Sequence, residues 1–424
     1  MQRKLYRPRI IDKTIIEYLA VFGAICIEGP KWCGKTWTSS FHSKSEIFLS
    51  DPNGNFQNRT LAQTAPSLVL EGDTPRMIDE WQEVPMIWDA VRHFVDQRPG
   101  KGQFILTSSS TPNHKGILHS GAGRIASLRM RPMSLYESGD SLGNISLEQL
   151  CKGILNPCKT DQLDLRKIID LILRGGWPES IKLLPKQAML LPKAYLSAII
   201  NDDVYRVDGI KRDLDKIKLL LRSLARNEST TVSNNTLIRD IKKIDDEDID
   251  TNTVSSYLNI FERLFIIENQ LPFASSIRSK VRVRQQQKRH FTDPSLACAL
   301  LSITPDMLIN DLETLGFLFE AMCERDLNIY AESFGARLYH YQDYKNREID
   351  AVIQLSNGNW CAFEIKLGAN QIDDAARNLL SIKKAIEEED GKAPCSLCVI
   401  CGMSNAAYRR DDGVFVVPIT ELKN

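Results

Sequence analysis

The chain has 424 residues, and its 54 Lys and Arg balance 54 Asp and Glu. No global charge therefore draws it to nucleic acid or an anionic membrane, and any basic surface must be local. At about 150 residues per domain the length predicts roughly three domains. No apolar run reaches the ~18 residues of a membrane span, and Met1-Gln2-Arg3-Lys4 leads into Leu5-Tyr6-Arg7-Pro8-Arg9 rather than an apolar signal core. Together these predict a cytoplasmic protein with no membrane partner.

In chain order, the first strong signal is the apolar run 21–27, in which Ala24-Ile25-Cys26-Ile27 reads as a buried strand. It empties into Gly29-Pro30-Lys31-Trp32-Cys33-Gly34-Lys35-Thr36, which fits G-x-x-x-x-G-K-[ST] at every fixed position, and helical potential follows over 35–41. Gly29 and Gly34 let the backbone turn its N–H groups inward on a phosphate. Lys35 supplies a charge to the β- and γ-phosphates, and Thr36 offers a hydroxyl to Mg²⁺ at a helix N-terminus. The expected ligands are ATP and Mg²⁺.

Turnover needs a carboxylate-bearing strand, and Arg76-Met77-Ile78-Asp79-Glu80 provides one. Asp79 is placed to hold Mg²⁺ and Glu80 to polarise the attacking water. The alternative is a strand end followed by an acidic helix cap. A further strand, 103–106, ends in Thr107-Ser108-Ser109-Ser110, which puts Thr107 and Ser108 at the carboxyl end of a strand, where they either face the γ-phosphate or form a solvated turn. Arg124, on the loop His119-Ser120-Gly121-Ala122-Gly123-Arg124, is the first candidate for an arginine finger, ahead of Arg129 and Arg131. It would act on its own nucleotide or on a neighbour's in an oligomer.

These stretches, with Ile78-Asp79-Glu80-Trp81-Gln82-Glu83-Val84-Pro85 and Arg131-Pro132-Met133-Ser134-Leu135-Tyr136-Glu137, resemble the bacterial and archaeal AAA-type ATPases that carry a DUF4143 region. The resemblance implies an ASCE-type P-loop core in which Lys35, Thr36, Asp79 and Glu80 carry the ATP chemistry. The family usually reads Thr-Gly-Ser where this chain has Thr107-Ser108-Ser109, so a side chain is added beside the sensor position.

Helical patterning runs over 163–196, broken by Gly175-Gly176-Trp177-Pro178, and predicts a helical lid. Helical segments at 204–226, 237–243 and one carrying Val254, Tyr257, Leu258, Phe261 and Leu264, then strands at 265–267 and 281–284, give a winged-helix order. Arg278, Lys280, Arg282 and Arg284 alternate along the second strand, as a row facing a DNA backbone or as a charge guard on an edge strand.

Near the C-terminus, Glu348-Ile349-Asp350-Ala351-Val352-Ile353, the turn Asn357-Gly358 and Trp360-Cys361-Ala362-Phe363-Glu364-Ile365-Lys366 predict a hairpin that brings Asp350 to Glu364 and Lys366. Two carboxylates and a lysine suit Mg²⁺-dependent phosphodiester cleavage. With a helix at 315–327, a strand at 337–341, a helix from Gln371 and a strand at 397–401, the αβββαβ order resembles the PD-(D/E)XK nuclease superfamily. That resemblance assigns Glu320 as an auxiliary metal carboxylate and Gln371 as the accompanying glutamine. Cys395, Cys398 and Cys401 form C-x-x-C-x-x-C, read as part of a buried strand rather than a metal half-site.

The expected architecture is α/β: a P-loop domain at 1–140, a helical lid at 141–200, a winged-helix-like domain at 201–300 and a nuclease-like domain at 301–424, with the DUF4143 region at roughly 200–370.

Overall fold

The computed structural model describes residues 6–111, 117–161, 163–242, 249–274, 286–343 and 345–424. They gather into two compact units. The first comprises Met1–Pro132, Asn201–Arg212 and Leu258–Ile266, and the second Met133–Ile200, Asp213–Tyr257 and Ile267–Asn424.

In the first unit, β1 (Ala24–Glu28), β2 (Ser45–Phe48), β3 (Arg76–Asp79), β4 (Phe104–Ser108) and β5 (Ile125–Arg129) form a parallel sheet in the order β2-β3-β4-β1-β5. The interior strand β1 is apolar from Ala24 to Ile27 because both of its faces are covered. Cys26 turns to one side with Ile78, Leu106, Trp81 and Trp88. Ile25 and Ile27 turn to the other with Ile105, Leu128 and Ile15 of helix α1 (Ile11–Val21). Each such side chain contributes about 1.5–3 kcal/mol by leaving water, and Ile25→Ala would cost about 2–5 kcal/mol.

Register fixes where the chemistry falls. Ala24 pairs with Phe104 and Ile125, and Glu28 pairs with Ser108 and Arg129. The carboxyl ends of β1, β3 and β4 therefore share one edge, the edge at which open α/β sheets take ligands. Helix α2 (Lys35–His42) begins there.

Short strands β6 (Ile145–Ser146) and β7 (Cys158–Lys159) open the second unit. Helices Leu214–Arg226, Asn234–Lys242 and Thr251–Arg263, the last belonging to this unit only as far as Tyr257, then precede an antiparallel pair, β8 (Ile267–Gln270) with β9 (Lys288–Phe291). The second strand of that pair thus lies beyond 281–284. The basic row Arg278, Lys280, Arg282 and Arg284 falls outside the described residues.

The large sheet has the order β10-β11-β12-β13-β15-β14-β7, with β10 (Arg337–Gln342), β11 (Glu348–Gln354), β12 (Trp360–Lys366), β13 (Ser396–Cys401), β14 (Ala406–Arg409) and β15 (Phe415–Pro418). β10, β11 and β12 run antiparallel, then β12, β13 and β15 are parallel. The β11–β12 turn falls where Asn357-Gly358 predicted it: Gly358 has φ 77° and the Leu355 amide donates to Asn359 O at 2.8 Å. Helix Ile372–Glu388 turns Ala375, Ala376, Leu379, Ile382 and Ile386, at 3.6-residue spacing, onto Val352, Trp360 and Val399. Helix Leu312–Glu332 starts at Asp311, whose Oδ1 accepts the Thr314 amide at 3.0 Å. The observed order, helix, three strands, helix, strand, is αβββαβ.

The cysteine array follows the strand reading. Cys401 shares the face of Leu397 and Val399, whereas Cys398 alternates to the opposite side of β13.

Candidate functional site

The loop after β1 is held on close backbone packing. The Gly29 amide donates to Ser108 O at 3.2 Å, and a Cβ on Gly29 would lie 2.0 Å from Met130 O, which leaves room for glycine alone. Gly34, at φ 103°, takes the left-handed turn into α2. Beneath the loop the buried Arg9 guanidinium donates to Cys33 O at 2.7 Å and to Arg131 O at 2.8 Å, bracing the loop against the chain after β5. The Cys33 side chain is buried in the core behind it. Trp32, at φ 66°, projects toward solvent. Lys35 is buried, its Nζ donating to Gly29 O at 2.9 Å and Pro30 O at 2.7 Å, so the ammonium sits in the cradle that the loop carbonyls outline.

Across the cradle, Thr107 links the two acidic residues. Its Oγ1 donates to Asp79 Oδ1 at 2.8 Å and accepts the Glu80 amide at 2.9 Å. Burial pushes the Asp79 carboxyl above the usual carboxylate range, with bonds from Thr107 and Thr36 and the Lys35 charge acting the other way. Thr36 and Asp79 thus pair a hydroxyl with a carboxylate as hard oxygen donors of the kind Mg²⁺ takes, and a desolvated carboxylate is a group a cation stabilises.

Glu80 occupies the left-handed region at φ 57°, ψ 48°, a conformation that costs a non-glycine residue about 1–3 kcal/mol and is found preferentially at functional sites. It aims the carboxylate along the sheet edge, where Ser109 Oγ donates to Oε2 at 2.7 Å and Gln82 Nε2 donates to the same oxygen. Ser108, where the family resemblance expects glycine, is buried with its hydroxyl turned onto Ser110 O. The added side chain therefore points away from Asp79 and Glu80.

An open cavity of about 1010 Å³ adjoins this edge, lined by Lys31, Asp79, Glu80, Ser109, Asp203 and Arg206 among others. Lys31 Nζ lies 2.6 Å from Asp203 Oδ1, which commits the Lys31 side chain to the segment Asn201–Arg212.

Arg124 needs correction as a finger on its own nucleotide. It immediately precedes β5, so it stands at the amino edge of the sheet, a strand length of roughly 16 Å from the loop edge. There its Nε donates to Asp96 Oδ1 at 2.9 Å. Arg129, at the carboxyl end of β5, stacks on Phe265 with 3.7 Å from Cζ to the ring centroid.

In the second unit the predicted polar set does come together. Lys366 Nζ lies 3.0 Å from Asp350 Oδ2 and 2.6 Å from Glu364 Oε2, and Asn378 donates to Glu364 Oε1 at 2.8 Å. Glu320, Lys366 and Gln371 line a cavity of about 400 Å³, while Gln371 Oε1 accepts the Gly368 amide at 3.1 Å.

Lys288, which follows the basic row in the sequence, is turned inward onto this site. Its buried ammonium contacts Glu320 and lies 2.9 Å from Glu324 Oε1, and His290 Nε2 reaches the other Glu324 oxygen at 3.0 Å. The metal assignment of Glu320, Asp350 and Glu364 does not fit this arrangement, because Lys288 holds Glu320 apart as its own ion-pair partner. Among the described residues no group of three His, Cys, Asp or Glu is placed to hold a metal ion. The described residues also contain no helix long and apolar enough to cross a membrane.

A glycine-rich loop at the carboxyl edge of a β2-β3-β4-β1-β5 parallel sheet, facing an Asp-Glu pair, defines an ATPase-like P-loop fold. Residues 22–139 match a family described as an AAA domain, residues 315–422 match the domain of unknown function DUF4143, and residues 165–307 match another, DUF8612. Residues 22–139 therefore carry an AAA-type P-loop domain and residues 315–422 a DUF4143 domain. That domain lies further toward the C-terminus than the expected 200–370.

The uncharacterized proteins Rv2008c of Mycobacterium tuberculosis and Mb2031c of Mycobacterium bovis are each 22% identical over 347 residues, covering 81% of this chain and 70% of the relative. Among solved structures, the Walker-type ATPase paby2304 of Pyrococcus abyssi is 13% identical with a TM-score of 0.42, covering 70% of this chain and 97% of that one. The Aeropyrum pernix ORC1 protein in complex with DNA is 14% identical with a TM-score of 0.26, covering 71% and 93%.

Proposed function

We propose that the chain binds ATP with Mg²⁺ and hydrolyses it, and that the nucleotide state governs what the second unit holds. The observation that carries this is the Asp79–Thr107–Glu80 network beside Lys35. One hydroxyl fixes a carboxylate facing the phosphate cradle and the backbone of a second carboxylate aimed along the same edge.

In this reading the loop 29–34 cradles the phosphates, and Lys35 exchanges its carbonyl partners for phosphate oxygens. Thr36 and Asp79 would hold Mg²⁺, which supplies positive charge to the phosphates when bound. Glu80, oriented by Ser109 and Gln82, accepts the proton of the attacking water. Phosphate release from ATP tests it: the wild-type chain with Mg²⁺ should release phosphate, and a purified chain that binds ATP without any release refutes the hydrolytic part.

For the second unit the balance of charge favours binding over cutting. Lys288 already occupies Glu320, and among the described residues no three acids gather around a metal position, so we read this unit as a module that recruits nucleic acid or protein without cleaving it. The αβββαβ order is compatible with the rival reading, DNA binding with metal-dependent cleavage. Incubating wild type and Asp350→Ala with a DNA panel, divalent metal and ATP separates the two. Cleavage by wild type that Asp350→Ala abolishes establishes the nuclease; no cleavage by either leaves the binding module.

A further inference from the structure

Cys361 and Cys395 bring their sulfurs to 3.3 Å. Cys361 is the second residue of β12 and Cys395 directly precedes β13; the parallel register pairs Cys361 with Ser396, and the Cys395 amide donates to Trp360 O at 2.8 Å, so adjoining strands fix the two thiols side by side. Both also lie near Cys151 O, at 3.4 Å from Cys361 Sγ and 3.3 Å from Cys395 Sγ. Of the ten cysteines Cys395 is the exposed one, and Cys361 is buried directly behind it.

The bond from the Cys361 thiol holds Cys395 below the ordinary thiol range, with the charge of Lys392 adding to it. Thiolate character and exposure are what make a cysteine reactive, and the other cysteines lack one or both. A disulfide needs about 2.05 Å between sulfurs, so closing this pair requires a movement of roughly 1 Å.

We propose that Cys395 and Cys361 form an oxidisable thiol pair, in which Cys395 is attacked first by a peroxide and Cys361 resolves it as a disulfide joining β12 to β13. The Cys395 thiolate attacks one peroxide oxygen and the O–O bond breaks, giving the sulfenic acid and an alkoxide or hydroxide that takes a proton from water. The Cys361 sulfur then attacks the Cys395 sulfur, the S–O bond breaks, and the leaving hydroxide takes the Cys361 proton as water. The peroxide gains two electrons and the two thiols lose them; a small dithiol returns the pair to its starting state.

The test is peptide mapping of the full chain after treatment with hydrogen peroxide, with free thiols alkylated. The expected result is a Cys361–Cys395 cross-linked peptide lighter by two hydrogens, reversed by dithiothreitol. In Cys361→Ala, Cys395 should stop at a sulfenic acid trapped by dimedone. In Cys395→Ser, whose change is at an exposed position, Cys361 should stay reduced over the same time. Oxidation of Cys395 in the wild type with Cys361 still reduced overturns the pairing, and a Cys395 that reacts no faster than the buried cysteines overturns the proposal.

Discussion

Thr107 Oγ1 donates to Asp79 Oδ1 at 2.8 Å while accepting the Glu80 amide at 2.9 Å, so one hydroxyl at the end of β4 sets both acidic residues at the end of β3. Thr107→Val keeps the shape and β-branching that suit a strand but removes the hydroxyl. It should retain ATP binding, lower turnover about tenfold, and destabilise the first unit by about 1–3 kcal/mol through the buried carboxylate and amide left unpaired. Steady-state kinetics with a denaturant titration checks both parts.

Two lysines of the loop should behave differently. Lys35 lies in the cradle, whereas Lys31 is committed to Asp203 at 2.6 Å. Lys35→Ala should weaken ATP binding by about 100-fold, the worth of one or two charge-assisted hydrogen bonds. Lys31→Ala should stay within about threefold of wild type, because that position serves the phosphate through its backbone. Titration calorimetry with ATP and Mg²⁺ gives both values.

Arg124 is bound to Asp96 at the amino edge of the sheet. Arg124→Ala should therefore leave ATP affinity and dilute-solution turnover unchanged. A loss of turnover that appears only as protein concentration rises would assign Arg124 to a neighbour's nucleotide in an oligomer.

The P-loop and Asp79-Glu80 were legible because each lies in one short stretch with a local pattern, and the αβββαβ order because each of its elements carries its own period. Arg9 and Asp203 were not, since they reach the site through tertiary placement and share no spacing with the motifs. Arg124 misled because its glycine-bearing loop carried more weight than its position just before a parallel strand, which already puts it at the wrong edge. Lys288 and His290 sit thirty residues or more from the carboxylates they contact, and nothing local in a lysine announces that it is buried.

That buried cluster predicts a pH dependence. Burial raises the Glu320 and Glu364 carboxyls, against the pull of Lys288 and Lys366. Burial would lower His290, but the Glu324 charge and the Glu228 bond outweigh it and raise His290 to about 9. All three groups hold more protons folded than unfolded, so stability falls as pH rises, beginning above the ordinary carboxylate range and continuing through about 9 for His290. Glu324 acts oppositely: burial is overcome by His290 and Lys288, which hold it at about 2, and its contribution is lost as pH falls from about 4.5 toward 2. These four groups together contribute most near pH 5. Urea midpoints at pH 3, 5 and 9 check this, and Glu320→Gln should flatten the alkaline decline.

Whether Glu80 activates water for ATP bound in the Gly29–Thr36 loop is decided by phosphate release from Glu80→Gln, with ATP affinity measured on the same preparation. Affinity should be unchanged and turnover reduced about 10²–10⁴-fold, the usual worth of a general base. Wild-type turnover by Glu80→Gln would contradict it.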